Sequence, residues 1–265
     1  MPKVKVDGVN LYYEVHGDGF PLLMIQGLSE NVYWWDAPMI DELSKHFKTV
    51  IFDNRGVGRS DALEGDLTIE IMAADALGLM DALDINQAHI LGHSMGGMIA
   101  QELALKFPER IKKLVLCSTS CGGSKATMSS IETQKLLTKL SFNGHTRTLV
   151  ERAMSHIFTK RFMAENPEFM EKKVNDILII PTGPTTFKAQ VGAWMRYNSY
   201  RKLKEIGLPT IIMHGTQDIL VPPGNGDLLA SKIPNAELVS FDSNAHLVHT
   251  EEPDKFNEEL LKFLK

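Results

Sequence analysis

The sequence predicts an α/β fold in which a mostly parallel sheet is flanked by helices and interrupted by a helical insertion. Three observations predict it. Short apolar runs alternate with helical patterns along most of the chain, and there is no internal repeat or low-complexity segment. One long stretch, from Ser120 to Ile206, abandons the alternation for helical patterns alone. With 265 residues and 43% hydrophobic content, the chain has material for one large domain carrying a sizeable insertion.

The elements follow in order. KVKV (3–6) and NLYYEV (10–15) flank Asp7-Gly8, a two-residue turn signal, so the chain opens with an antiparallel hairpin. PLLMIQ (21–26), KTVIFDN (48–54), AHILG (88–92) and KLVLCS (113–118) are short, leucine-rich or β-branched, and bounded by Gly, Asp or Asn. Such unbroken apolar runs are parallel strands buried on both faces. Helical patterns run between them at 36–46, 68–84 and 95–106. PTIIMHG (209–215) and AELVSF (236–241) bring the strands to eight, and the amphipathic PDKFNEELLKFL closes the chain.

The insertion holds one strand-like run, ILII (177–180), among the helical patterns SIETQKLLTKL, TLVERAMSHIFTKRFM, PEFMEKKVNDILI and TTFKAQVGAWMRYNSYRKLKEI. Unstructured connections of that length are uncommon in compact domains, so it is expected to be a helical cap over the sheet. The expected division is a core of residues 1–119 and 207–265 and a cap of residues 120–206. Met154, Phe158, Phe162, Met163, Phe187, Trp194 and Met195 either pack these helices together or line a pocket beneath them. Sequence does not sort the two.

Composition excludes several function classes. Net charge is −5 with both signs mixed, and no basic run is present to neutralise a phosphate backbone, so nucleic acid is not an expected partner. No stretch approaches the ~20 apolar residues that cross a bilayer, and MPKVKVDG carries no apolar signal core. A cytoplasmic protein without membrane contact is expected. Cys117 and Cys121 belong to no CxxC pair or histidine cluster, which makes them a strand and a loop cysteine and implies no metal.

The chemistry is carried by LGHSMGG (91–97), where Gly92, Ser94 and Gly96 fit G-x-S-x-G at the junction of a strand and a helix. A serine at so sharp a turn is forced into a strained backbone conformation, and the residues two before and two after it must be tiny. The strain lifts the hydroxyl clear of the sheet, and the helix start aims free N–H groups at charge developing there. A serine hydroxyl needs a base, and the base needs an orienting carboxylate. The expected chain order is Ser, acid, His, each past the carboxyl end of a strand. Asp218 in IIMHGTQDILVPP and His246 in LVSFDSNAHLVHTEEP stand there. Asp242 and His249 are rivals; Asp242 is too close in sequence to either histidine, and His249 falls in or beside the final helix.

Taken together, the hairpin start, LLMIQG, FDNRGVGRSD, GHSMGG with FPERIKKLVL, HGTQDILVPP and AHLVHTEEPDKF resemble the α/β-hydrolase superfamily of the serine-nucleophile type over the whole chain. The resemblance implies a cap inserted after the strand that follows the nucleophile helix. It also implies an oxyanion hole made by the backbone N–H groups of Met95, next to the nucleophile, and Leu28, after the strand LLMIQ. Relatives carry His-Gly before that donor, whereas this chain carries Gln26-Gly27, so Gln26 either supports neighbouring loops or reaches the pocket. Gly56-x-Gly58 in FDNRGVGRSD lacks the third glycine and the supporting unit of a dinucleotide site; Arg55 and Arg59 are expected to be structural.

The expected reaction is acyl transfer to water through Ser94, His246 and Asp218, with no metal or organic cofactor and a small-molecule ester as the partner. Trp34, Trp35 and Trp194, with Gln26, are the candidate substrate-binding residues. They and the apolar cap favour a carboxylesterase acting on small to medium hydrophobic acyl groups. A lactonase of the enol-lactone type, a carbon–carbon bond hydrolase and a cofactor-free perhydrolase share the same triad, and a small-molecule receptor on this scaffold is the reading from another class.

Overall fold

The computed structural model describes residues 2–62 and 65–265. β1 (Lys3–Val6) and β2 (Val9–His16) form the opening hairpin, and Asp7 and Gly8 at its turn both have positive φ, 43° and 84°. That twist matches the flanking strands. β3 (Phe20–Ile25), α1 (Ala37–Ser44), β4 (Phe47–Phe52), α2 (Ile69–Ala82), β5 (Ala88–His93), α3 (Met95–Lys106) and β6 (Ile111–Cys117) follow. Five helices come next: α4 (Ile131–Asn143), α5 (Arg147–Ile157), α6 (Lys160–Glu165), α7 (Pro167–Ile179) and α8 (Pro184–Arg196). β7 (Thr210–Gly215), α9 (Gly224–Lys232), β8 (Ala236–Phe241), α10 (Val248–Glu251) and α11 (Pro253–Leu264) complete the chain.

The eight strands form one sheet in the order β1-β2-β4-β3-β5-β6-β7-β8, antiparallel only in the first two pairings. Two apolar layers clamp it. Met72, Ala76, Ile99, Leu103 and Leu229 from α2, α3 and α9 cover one face; Met39, Leu43, Phe256 and Leu260 from α1 and α11 cover the other. Because both faces are covered, the central strands are apolar throughout rather than alternating. The strand order reverses between β3 and β5, so their carboxyl ends are neighbours. Ligands of open α/β sheets bind at such a switch point, and here it sets the turn after LLMI beside the turn after AHILG.

Three local expectations are corrected. ILII is not a strand but the end of α7, where Val174 and Ile177, three apart, are buried and Ile179 faces solvent. TLVERAMSHIFTKRFM divides into α5 and α6, because the Thr159 hydroxyl accepts from the Phe162 N–H at 3.1 Å and starts a new helix. The last insertion pattern stops at Arg196, since Tyr197–Ser199 turns back to make a bridge between Asn198 and Gly122. α9, beginning Gly-Asn-Gly, has no signal in its first turn to announce it.

Candidate active site

Ser94 stands between the end of β5 and the first turn of α3 with φ 55° and ψ −121°. That conformation is costly for a residue with a side chain and persists only when its surroundings impose it. They do so through close backbone packing. A Cβ on Gly92 would lie 2.3 Å from the Gly96 carbonyl oxygen, and one on Gly96 would lie 2.1 Å from that of Ile25. The Ser94 carbonyl is held by the Gly97 N–H at 2.9 Å and the Thr119 hydroxyl at 2.6 Å.

The structure brings Asp218 and His246 together across the loops after β7 and β8. His246 Nδ1 lies 2.7 Å from Asp218 Oδ2, and Asp218 Oδ1 accepts from the Leu220 and Val221 N–H groups at 2.9 and 2.8 Å. Burial by itself would push the Asp218 carboxyl up, but the charge of His246 and hydrogen bonds from His214 and His246 hold it well below the usual carboxylate range. Asp218 is therefore ionised and fixes the proton of His246 on Nδ1, leaving Nε2 as the free lone pair. Among the described residues Nε2 has no hydrogen-bond partner, and His246 and Ser94 line one cavity. The rivals are placed elsewhere: Asp242 is exposed, and His249, in α10, is buried against Trp35 at 5.1 Å between ring centroids.

Leu28 and Met95 lie on the two turns that the sheet order sets side by side. Met95 is the first residue of α3, so its N–H has no intrahelical acceptor. The Leu28 turn is fastened from two sides. Gly27 N–H donates to Glu30 Oε2 at 2.9 Å below. Above it, Ser29, at φ 68°, donates from its N–H to Gln190 Oε1 at 2.8 Å and accepts at its carbonyl from the Thr182 hydroxyl at 3.1 Å.

Gln26 is not a pocket residue. It is fully buried, and the amide orientation that satisfies its neighbours donates to Glu30 Oε2 at 2.8 Å and accepts from the Trp35 N–H at 3.2 Å. Trp35 also leaves the list of substrate contacts, because its ring packs inward against His93 and His249. The adjacent Trp34 lines the cavity instead. Trp194 lines a second, smaller cavity.

The main cavity, about 90 Å³, lies between the Ser94 loops and the helices α4, α5, α7 and α8. Its walls are mostly apolar: Leu28, Leu136, Leu140, Val150, Met154 and Phe187, with Thr133, His145 and His156 as polar points. The second cavity, about 30 Å³, shares Leu28, Ser94 and Leu220 with the first and is walled by Met95, Met98, Thr119 and Trp194. Ser94 thus sits where two cavities meet. Of the insertion's methionines and aromatics, Met154, Phe187 and Trp194 line cavities, while Phe158 and Phe162 stack on each other at 5.3 Å and Met195 is exposed.

Among the described residues, one group has the makings of a metal site: His93, Cys117 and His249, whose donor atoms lie within 4.8 Å of one another. It does not fit an ion. The Cys117 thiol is wholly buried and pushed up to about 12, and both ring nitrogens of His93 already face partners, Glu30 Oε2 at 3.1 Å and the His246 carbonyl at 3.3 Å. Arg55 is structural, forming a two-pronged buried pair with Asp75. The Asp53 carboxylate, accepting from the Val32 and Arg59 N–H groups at 2.7 and 2.8 Å, ties FDNRGVGRSD to the turn after β3. Glu30 and His93 are the residues that sequence reasoning missed. The only signal was an acidic residue three places after Gly27.

The comparisons with known proteins agree with this architecture. The profile of the alpha/beta hydrolase fold matches residues 21–253. RutD of Azorhizobium caulinodans, named for carbamate hydrolysis, is 30% identical over 263 residues, covering 99% of this chain and 98% of its own. The enol-lactonase of Burkholderia xenovorans LB400 superposes with a TM-score of 0.90 at 28% identity, over 99% of each chain. A thermophilic esterase of Thermogutta terrifontis superposes with a TM-score of 0.86 at 26% identity, over 100% of this chain and 98% of that one. With the strained serine turn, the sheet order and a profile match that spans most of its length, this chain belongs to the α/β-hydrolase fold family.

Proposed function

We propose that the protein is a serine hydrolase of carboxylic esters with small to medium hydrophobic acyl groups. The observation that carries this reading is the cavity that Ser94, on its strained turn, shares with His246, a histidine held by a buried carboxylate and with its Nε2 free. In this reading His246 Nε2 takes the Ser94 proton as Oγ bonds to the substrate carbonyl carbon, and Asp218 stabilises the imidazolium. The carbonyl oxygen becomes an oxyanion between the Leu28 and Met95 N–H groups. The imidazolium then protonates the departing alcohol. Water, deprotonated by His246, attacks the acyl-enzyme, and the acid returns with the proton restored to Ser94. No step needs a metal or organic cofactor.

The apolar walls support a hydrophobic acyl group, since a polar one would give up water there for no partner. They favour an ester over a small polar carbamate. The insertion α4–α8 acts as a cap whose floor completes the pocket. A lactone is the second reading, supported by the superposition on an enol-lactonase over 99% of both chains.

Incubation with a serine-directed fluorophosphonate, beside p-nitrophenyl esters of increasing chain length and a panel of lactones, tests the proposal. Ser94 is expected to be the labelled residue, Ser94→Ala to be unlabelled and inactive, and turnover to peak at an intermediate chain length. A wild-type protein that is neither labelled nor active on any substrate sinks the enzyme reading. Turnover of lactones alone selects the second.

A further inference from the structure

Glu30 has no part in the reaction above, yet its carboxylate is a buried hub of hydrogen bonds under the site. Its side chain is 8% exposed, and it borders the main cavity together with Ser94 and His246. One oxygen, Oε2, receives three N–H groups: Gly27 at 2.9 Å, His93 Nδ1 at 3.1 Å and the Gln26 amide at 2.8 Å. These donors come from the end of β3, the oxyanion turn and the end of β5, so one oxygen ties the two turns that hold Leu28 and Ser94.

The position leaves no room for another arrangement. A Cβ on Gly27 would lie 2.7 Å from Glu30 Oε2 and 2.9 Å from the Ser94 Cβ, so the carboxylate and the nucleophile press on Gly27 from both sides. Behind it, His93 packs tilted against His246 with ring centroids 4.8 Å apart, and His93 Nε2 reaches the His246 carbonyl at 3.3 Å. A buried charge must be paired and hydrogen-bonded to be tolerated, and Glu30 is. Burial alone would push its carboxyl up, but the charge of His93, the hydrogen bond from it, the charge of His246 and the Gly27 N–H bring it below the ordinary value. It is a carboxylate at neutral pH.

We propose that Glu30 is a positioning residue for the oxyanion hole and a second carboxylate for His246. By accepting from Gly27 it orients the peptide that precedes the Leu28 N–H, and by its charge it favours the imidazolium that forms as Ser94 attacks. This rests on the serine-hydrolase reading and assigns the second carboxylate at the same site. It also accounts for Gln26, whose amide completes the set of donors on Oε2.

The test uses the whole protein and two variants, Glu30→Gln, which keeps an acceptor oxygen without the charge, and Glu30→Ala, which removes both. The readouts are the second-order rate of Ser94 phosphonylation, kcat and KM for the best p-nitrophenyl ester, and thermal unfolding. Expected for Glu30→Ala is a loss of about 10²-fold in labelling rate and kcat, with KM within about 3-fold, because a transition-state donor has been misplaced. Expected for Glu30→Gln is a loss of about 10-fold, with the acceptor oxygen rescuing part of the rate. Asp218, His93, His249, Cys117, His145 and His156, the other titratable groups around the cavity and beneath it, are the same in all three proteins.

A folded Glu30→Ala that is labelled at the wild-type rate overturns the proposal, as does a change confined to KM. If Glu30→Ala does not fold, Glu30→Gln decides, and labelling and kcat at the wild-type rate overturn it. A wild-type protein that is not labelled at all brings down the serine-hydrolase reading and this inference with it; a labelled wild type with indifferent variants brings down this inference alone.

Discussion

Replacing Gly96 by alanine puts a carbon 2.1 Å from the Ile25 carbonyl oxygen and 2.8 Å from that of Gln26. Carbon and oxygen approach each other to about 3.3 Å at closest in comfortable contacts, so relief requires a movement of about 1 Å. Both obstacles are backbone atoms at the end of β3, and no side-chain rotation can clear them. Overpacking of this kind costs about 1–3 kcal/mol, and each kcal/mol lowers Tm by about 2–4 °C in a domain of this size. The expected fall in Tm is therefore about 2–12 °C. Activity should suffer more, because the displaced strand end leads straight into Gly27 and Leu28. A misplacement of about 1 Å costs about 10²-fold in rate. Thermal unfolding followed by circular dichroism and the rate of Ser94 labelling measure the two effects. Gly183→Ala, where an added methyl meets nothing within 4 Å, is the control. A Gly96→Ala protein that matches the control in both Tm and labelling would refute the claim that close backbone packing imposes the Ser94 turn.

Other outcomes follow from the same geometry. Asp218→Asn should keep the Leu220 and Val221 hydrogen bonds but present the wrong face to His246, lowering kcat by about 10³- to 10⁴-fold with the fold intact; a loss below about 10-fold in ester turnover would speak against the triad. Leu140→Trp should fill part of the main cavity and shift the acyl chain-length optimum to shorter esters, whereas an unchanged profile would place the acyl group beside Met98 and Trp194 instead. Burial pushes His89 down to about 4, aided by the charges of Lys113 and Lys112. An unfolded histidine takes up its proton near 6.5, so between that value and 4 the unfolded chain binds more protons and stability falls as pH falls, by up to about 3 kcal/mol. Urea midpoints measured from pH 7 to 4 should decline less steeply in His89→Phe, and parallel curves would count against it.

Legibility differed by kind of feature. The elbow was readable because its constraint is local: a serine between glycines at a strand-to-helix junction has few other uses, and the backbone φ of 55° bears out the expected strain. The pairing of Asp218 with His246 was readable from chain order, since each follows a visible strand run, fully buried in β7 and half-buried in β8. The boundaries inside the insertion were not, because α5 and α6 are parted by one capping threonine within a continuous apolar pattern. ILII looked like a strand for the same reason, as a short apolar run has no period of its own.

By itself, then, the sequence determined the sheet's membership, the run of helices between β6 and β7 and the serine turn after β5, because each rests on a pattern within a few residues of chain. Tertiary structure alone decided which of two adjacent tryptophans faces the cavity, that Gln26 turns inward, and that Glu30 gathers donors from two turns. Those facts depend on the order of β3 and β5 in the sheet and on the direction of side chains at their ends. Residues 30 and 93 are far apart in the chain, and only the pairing of two parallel strands makes them neighbours.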